Sequence, residues 1–340
     1  MKSTVNGGAH PVPEHERMQA IVQYRYGGPE VLELGSMELP SPGEGEVLVR
    51  LHAAGIDRGT WHLMAGLPYV VRLGFGFTGP KNPVPGLDLA GTVEAVGAAV
   101  TRFEVGDEVF GIGGGSLAEY TVASEEKLSH KPAEITFEQA AVSAVSGIAA
   151  LEAVADVAKV TDGQRVLVLG ASGGVGSFAV QVAKALGARV TGVASASKHD
   201  LVRELGADEV IDYRTQDFAS LGGEYDVIID TGGRNTLRRL RSVLAPKGTL
   251  VIVGGEGGNK LTGGFGRSIR AGILSPFSSV SMPFFLSTEH HRFMDRLAKL
   301  MESGEVVPAI GQIRPLVEVA EAMREMETGA AQGKTVITIS

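Results

Sequence analysis

The sequence predicts a mixed α/β chain in two parts, one compact and β-rich, the other a doubly wound parallel sheet with helices on both faces. Three observations carry this. From Arg165 to Gly187 an apolar run, a glycine-rich turn and an amphipathic segment follow one another without interruption. Beyond it, short apolar strands keep alternating with helical segments as far as Val253, the order that builds parallel strands with crossover helices. Between Met18 and about Ser143 the runs are instead short and alternate every second residue, with Pro, Gly and Asp between them. That pattern belongs to antiparallel strands joined by bends.

The first of these stretches organises the rest. Val166 to Leu169 is a continuous apolar run suited to a strand buried on both faces. After the turn, Val175, Phe178, Ala179, Val182, Ala183 and Leu186 recur at three- and four-residue steps until Gly187 stops the helix. A helix that begins just after a tight turn presents unpaired backbone N–H groups and the positive end of its dipole, which suits a pyrophosphate. Ala171, Gly173 and Gly176 align with the dinucleotide fingerprint, alanine standing in for its first glycine. Ser172, Gly173, Gly174, Val175 and Gly176 are therefore the expected diphosphate contacts. Glycines that merely allow tight helix-to-sheet packing are the alternative.

At 340 residues the chain is long enough for two domains, each with its own core. A formal charge of -8 argues against a nucleic-acid partner, whose phosphates demand clustered Lys and Arg. With no cysteine there is neither a thiolate nucleophile nor a cysteine-based metal site. Nothing resembles a signal peptide or an apolar run of membrane-spanning length, so a soluble, cytoplasmic protein without a membrane partner is expected.

In chain order, residues 1–17 are polar and aperiodic, and a disordered tail is expected there. Strand-like runs follow at Ala20–Tyr24, Glu46–His52, Ala90–Val96 and Asp107–Phe110. Phe137–Ala141 and Gly147–Val154 then read as helices. Strands at Arg165–Leu169, Arg189–Val193, Glu209–Ile211, Asp226–Asp230 and Thr249–Val253 alternate with helices such as His199–Leu205. Glu256 to Met282, rich in glycine and serine, reads as a long loop or broken helix beside the site. Helices at Glu289–Met301 and Ala320–Thr328 and a strand at Lys334–Ile339 complete the chain. Residues 18–146 with 286–340 are expected to form one domain and residues 147–285 the other.

Together, Ile21–Leu34, Gly55-Ile-Asp57, Pro85-Gly-Leu-Asp-Leu-Ala-Gly-Thr-Val93, Gly106-Asp-Glu-Val-Phe-Gly111, Gly170-Ala-Ser-Gly-Gly-Val-Gly176, Glu204-Leu-Gly-Ala-Asp208 and Gly333-Lys334 resemble the medium-chain dehydrogenase/reductase superfamily. The likeness is to its zinc-free branch, similar to quinone oxidoreductases and enoyl reductases. It implies a GroES-like catalytic domain, a Rossmann domain and an oxidoreductase activity. In the zinc-dependent branch a cysteine, a histidine and a further cysteine hold the metal; the matching places here carry Asp57, Leu87 and Val142. Leucine cannot ligate a metal, so no metal site is expected. The eight histidines offer no replacement, since none has a paired helical spacing with a carboxylate, and His290 and His291, adjacent on a helix, are expected to diverge.

Cofactor choice follows from the end of the second parallel strand, where NAD sites place an Asp or Glu. Ala194-Ser-Ala-Ser-Lys198 stands there instead. Ser195 and Lys198 suit a 2′-phosphate, so NADPH is expected over NADH, although Lys198 could simply open the next helix. The resemblance places Tyr213 beside the adenosine and adds Lys334 to the cofactor site. Topology and resemblance together put Ser146, Thr231 and Gly254 near the nicotinamide. Asp57 is the candidate catalytic residue: it either donates a proton or caps the following turn. Trp61, His62, Tyr69, Phe75 and Phe77 would suit a flat conjugated substrate or pack an inserted loop.

These readings give a zinc-independent, NADPH-dependent reductase of quinones, α,β-unsaturated carbonyls or aldehydes. A zinc-free alcohol dehydrogenase or carbonyl reductase and a non-catalytic NADPH-binding regulatory protein are the alternatives. Relatives commonly pair through the edge strand of the nucleotide-binding sheet, which makes a homodimer through Thr249–Val253 possible.

Overall fold

The computed structural model describes residues 17–220, 224–254, 258–328 and 333–339. A two-stranded antiparallel ribbon opens the chain, β1 (Arg17–Val22) against β2 (Glu33–Glu38). Arg17 is therefore ordered in a strand rather than in the expected tail, paired with Glu38; residues 1–16 lie outside the described residues. A seven-stranded sheet follows, built first from β3 (Glu46–Ile56), β4 (Asp88–Val96), β5 (Glu108–Ile112), β6 (Tyr120–Ser124) and β7 (Leu128–His130). Between β3 and β4 run the helices α1 (Arg58–Ala65) and α2 (Arg72–Phe75). Apolar residues of β3 such as Val47, Val49 and Leu51 are fully buried, as the two-residue alternation requires where both faces are covered.

Helices α3 (Phe137–Ala140) and α4 (Ala144–Leu151) lead out of this sheet, and α4 passes into a π-helical turn over Glu152–Val157. Thr136 and Gln139 close a capping box at the start of α3, each side chain bonding the other's backbone.

The second sheet is five-stranded and wholly parallel. It contains β8 (Arg165–Leu169), β9 (Arg189–Ala194), β10 (Glu209–Asp212), β11 (Tyr225–Asp230) and β12 (Leu244–Ile252), in the spatial order β10-β9-β8-β11-β12. Its crossovers include α5 (Gly174–Ala185), α6 (His199–Glu204) and α7 (Leu237–Arg241). Val166 and Val168 on one face of β8 meet Phe178, Ala179 and Val182 of α5, all essentially without exposure. The strand order reverses between β8 and β11, where an open α/β sheet forms its crevice.

The glycine- and serine-rich stretch resolves into α8 (Phe265–Leu274) followed by a short 3-10 turn; residues 255–257 lie outside the described residues. After it, Ser281 bridges in parallel to Thr249 and covers the outer edge of β12. Helix α9 (His291–Glu302) then precedes β13 (Ile310–Pro315), α10 (Val319–Thr328) and β14 (Lys334–Thr338). Strand β14 inserts between β13 and β3 of the first sheet, antiparallel to β3 with Thr335 opposite Ile56.

Two glycines close the turn after β8. Gly170 has φ 78°, and a Cβ on it would meet Thr231 Oγ1 at 2.6 Å. A Cβ on Gly176 would overlap the carbonyl oxygen of Gly170. Backbone cannot give way as a flexible side chain would, so Gly176→Ala is expected to destabilise the protein by about 1–3 kcal/mol, read as a lower urea midpoint with an unchanged slope.

Candidate functional site

The carboxyl ends of β8, β9, β11 and β12 open into a cleft of about 760 Å³, whose other wall comes from α1, α4, β14 and the segment Phe285–Ser287. At its centre lies the tip of α5. Gly173 is the N-cap and supplies no side chain to the first-turn amides, so those donors remain for a ligand. Ser172, Gly173, Gly174 and Val175 line the cleft and Gly176 does not; it holds the turn shut from behind. Gly254, at φ 148°, lines the cleft with nothing within 4 Å of where a Cβ would stand, leaving backbone open to a flat ring. Thr231 also lines it, but its hydroxyl donates to the Leu169 carbonyl at 2.7 Å and ties the loop after β11 to β8.

Behind the glycine turn sits a buried charged cluster. Lys334, at the start of β14, is 2% exposed; its Nζ donates to Ser146 Oγ at 3.0 Å and to Asp88 Oδ2 at 3.3 Å, and lies 3.9 Å from Asp57 Oδ2. Asp88 is itself buried, and its Oδ1 accepts from the Val145 amide at 2.7 Å, anchoring the start of α4. Burial pushes the Asp88 carboxyl from its ordinary 3.8 up to about 7, against the pull of Lys334 and with a smaller push from Asp57. Asp57 caps α1: its Oδ1 accepts from the Thr60 amide at 2.8 Å and the Thr60 hydroxyl at 3.1 Å, while Oδ2 faces Lys334. Of the two uses weighed for Asp57, the geometry shows the cap, made by Oδ1.

At the end of β9, Ser195 is buried with its Oγ 3.4 Å from Ser197 Oγ, and Ser195, Lys198 and Tyr213 all line the cleft. Desolvation lowers the Lys198 ammonium from its usual range. Asp212, at the end of β10, is turned to its own loop, accepting from the Arg214 amide and the Thr215 hydroxyl. Sequence reasoning missed Arg58, Arg234 and Arg239, which bring the described cleft lining to five Lys and Arg residues against one carboxylate, Asp57. Arg234 follows the Gly232-Gly233 turn at the carboxyl end of β11, a position that could have flagged it.

Some expectations need correcting. Of the aromatic stretch after Asp57, only His62 reaches the cleft. Trp61 turns away to donate to Glu327 at 2.7 Å, and Phe75 and Phe77 are exposed. The aromatic wall comes from Phe218, Phe265 and Phe285 instead. His290 and His291 do not diverge: their ring centroids lie 4.4 Å apart and both Nε2 atoms approach Glu126. The reason is that His290 is the N-cap of α9, outside the helical spacing. His291 also pairs with Asp295 four residues on, so a helical spacing with a carboxylate does exist. Leu87 packs against the core and Val142 is fully buried within it.

Residues 43–133 match the model of the alcohol dehydrogenase GroES-like domain, and residues 205–337 match that of the zinc-binding dehydrogenase. A quinone oxidoreductase of Pseudomonas aeruginosa is 35% identical over 92% of this chain and 97% of its own length. The structure of a quinone oxidoreductase from Coxiella burnetii superposes with a TM-score of 0.83 at 26% identity, covering 96% of this chain and all of that one. A mycobacterial protein complexed with NADPH gives a TM-score of 0.81 at 28% identity over 95% of this chain and all of that one. A GroES-like sheet, a Rossmann sheet and a cation-lined cleft at the strand ends define an oxidoreductase that uses a nicotinamide cofactor on a small molecule. The chain belongs to the medium-chain dehydrogenase/reductase superfamily, in its quinone oxidoreductase-like branch.

The cluster around Lys334 carries a pH signature. Because folding raises the Asp88 pKa, the native state holds a proton that the unfolded chain releases between 3.8 and about 7, and stability falls as pH rises through that window. Urea unfolding of the wild type and Asp88→Asn should therefore show the variant gaining on the wild type from pH 4 to pH 7. A gap moving the other way would mean that Asp88 is held in its ionised form.

Proposed function

We propose that the chain is a zinc-independent, NADPH-dependent reductase of quinones or α,β-unsaturated carbonyls. The observation that carries this reading is the cleft itself, whose lining among the described residues joins uncapped amides of α5 to five cationic side chains and a single carboxylate. Cationic residues beside a helix tip, in a protein of net charge -8, suit a polyanion. Ser195 and Lys198 at the end of β9, where NAD sites place an acidic residue, with Asp212 of β10 bonded to its own loop, support a 2′-phosphate rather than a free ribose hydroxyl. Leu87 and Val142 at two of the three ligand positions of the zinc-dependent branch support chemistry without that metal.

The bound cofactor supplies the hydride, and the rest falls to the protein. The residues of the turn at 172–175 would hold the diphosphate, and Ser195, Lys198 and Tyr213 the adenosine end. Gly254 and Thr231 would leave a flat face for the ring, and Phe265 and Phe285 would exclude water from the electrophilic carbon. Asp57, the carboxylate of this cluster that lines the cleft, would pass on the proton that completes the reduction, with Lys334 Nζ 3.9 Å from its Oδ2 and hydrogen-bonded to Asp88 behind it. A homodimer through the Ser281 segment beside β12 belongs to the same reading.

Two measurements test it. Loss of NADPH absorbance over a panel of quinones, enones and aldehydes should show turnover with a quinone or an enone; NADPH binding by fluorescence without oxidation of any of them would favour a regulatory binding protein instead. Ser195→Asp should lower kcat/KM for NADPH by about tenfold or more, roughly 1.4 kcal/mol, while sparing NADH. Equal losses with both cofactors would sink the assignment of the 2′-phosphate to this end of the cleft.

A further inference from the structure

We propose that Glu126, His290 and His291 form a binding site for a divalent transition-metal ion of the zinc type, separate from the cleft and fastening the start of α9 to the turn between β6 and β7. None of the three lines the cleft. Glu126 lies in the short 3-10 turn Glu125–Lys127, and the two histidines stand at the amino end of α9, more than 160 residues further along the chain.

The geometry suits such an ion. His290 Nε2 and His291 Nε2 each lie 3.3 Å from Glu126 Oε2, and one ligand atom from each of the three residues falls within 4.8 Å of the others. A tetrahedral ion bound at about 2.0–2.1 Å holds its ligand atoms roughly 3.3 Å apart, so both contacts already have the length of a coordination edge. The donor set, two imidazoles and one carboxylate, is one that zinc accepts with water completing its shell. Half-exposed Glu126 and His290 leave room for that water.

A second carboxylate is placed as metal sites place one. His291 Nδ1 lies 3.0 Å from Asp295 Oδ2, a carboxylate that accepts the Nδ1 proton and so leaves Nε2, 3.3 Å from Glu126, as the atom that would take a metal in exchange for its proton. Asp295 is held in turn by the Ser129 hydroxyl at 2.5 Å and by Arg102 at 3.4 Å. His290 is less prepared: its Nδ1 accepts from the Arg292 amide at 3.2 Å, and metal at Nε2 exchanges that cap for the coordinate bond.

The location gives the ion a mechanical role. Ser287 lines the cleft, and both Ser287 and Thr288 are bonded to the buried Glu152. His290 follows two residues later, so an ion there pins the outer end of a segment whose inner end walls the active-site cleft.

Titration of the chelator-treated full-length protein with zinc chloride, followed by isothermal calorimetry, tests the site. One ion per chain is expected, with a matching rise in unfolding temperature. His291→Ala or Glu126→Gln should weaken binding by about 100-fold and Asp295→Asn by roughly 10-fold, whereas His130→Ala, which alters another exposed histidine, should leave it unchanged. Glu126→Gln keeps the shape of an exposed side chain and so serves as the arm least exposed to misfolding. Absence of saturable binding overturns the proposal, as does binding that survives both Glu126→Gln and His291→Ala.

Discussion

The contact between Lys334 and Asp88 joins distant parts of the chain. An ammonium at the start of β14 and a carboxylate at the start of β4 meet with almost no exposure, 246 residues apart in sequence, and Ser146 of α4 completes the group. A buried pair of this kind gains little over well-packed apolar residues, but losing one partner leaves an uncompensated charge that costs about 3–5 kcal/mol. The pair therefore fixes an arrangement more than it adds stability. Through Val145 it sets where α4 begins, and through Ser146 it places the wall that faces the glycine turn.

On the opposite wall the backbone does the equivalent work. Gly170 and Gly176 let the turn after β8 close so tightly that the first amides of α5 point into the cleft. Thr231 and the Asp230 carboxylate hold the neighbouring loop: Asp230 Oδ1 accepts from the Gly232 and Gly233 amides, and Arg267 of α8 pairs with Oδ2 at 2.7 Å. Burial raises the Asp230 carboxyl despite that arginine. Helix α8 thus buttresses the loop after β11 through one charged contact, although its residues Ile269 and Ile273 are exposed.

The parallel sheet was legible because a central strand such as Val166–Leu169 is buried on both faces and its crossover helix shows its own period, as with Phe178 and Val182 on α5. The glycine turn was legible for a similar reason, its residue types being dictated by close backbone approach. Helix α8 was not, because glycine and serine interrupt its pattern and its apolar stripe is exposed rather than packed. The pairing of Lys334 with Asp88 could not be read from either residue, since only the folded sheet brings them together. The two histidines were misjudged by treating both as helical, when an N-cap residue points its side chain differently from the residue after it.

The position of β14 also bears on how the molecule comes into being. The parallel sheet has all five strands once residue 252 is made, and domains commonly fold as units during synthesis, amino-terminal parts first. Strands β3 to β7 emerge before it, yet their sheet must keep a vacancy beside β3 until residues 334–338 leave the ribosome. The residue that opens β14 is Lys334, so a nascent chain carries Asp88 without its counter-charge until residue 334 has been made.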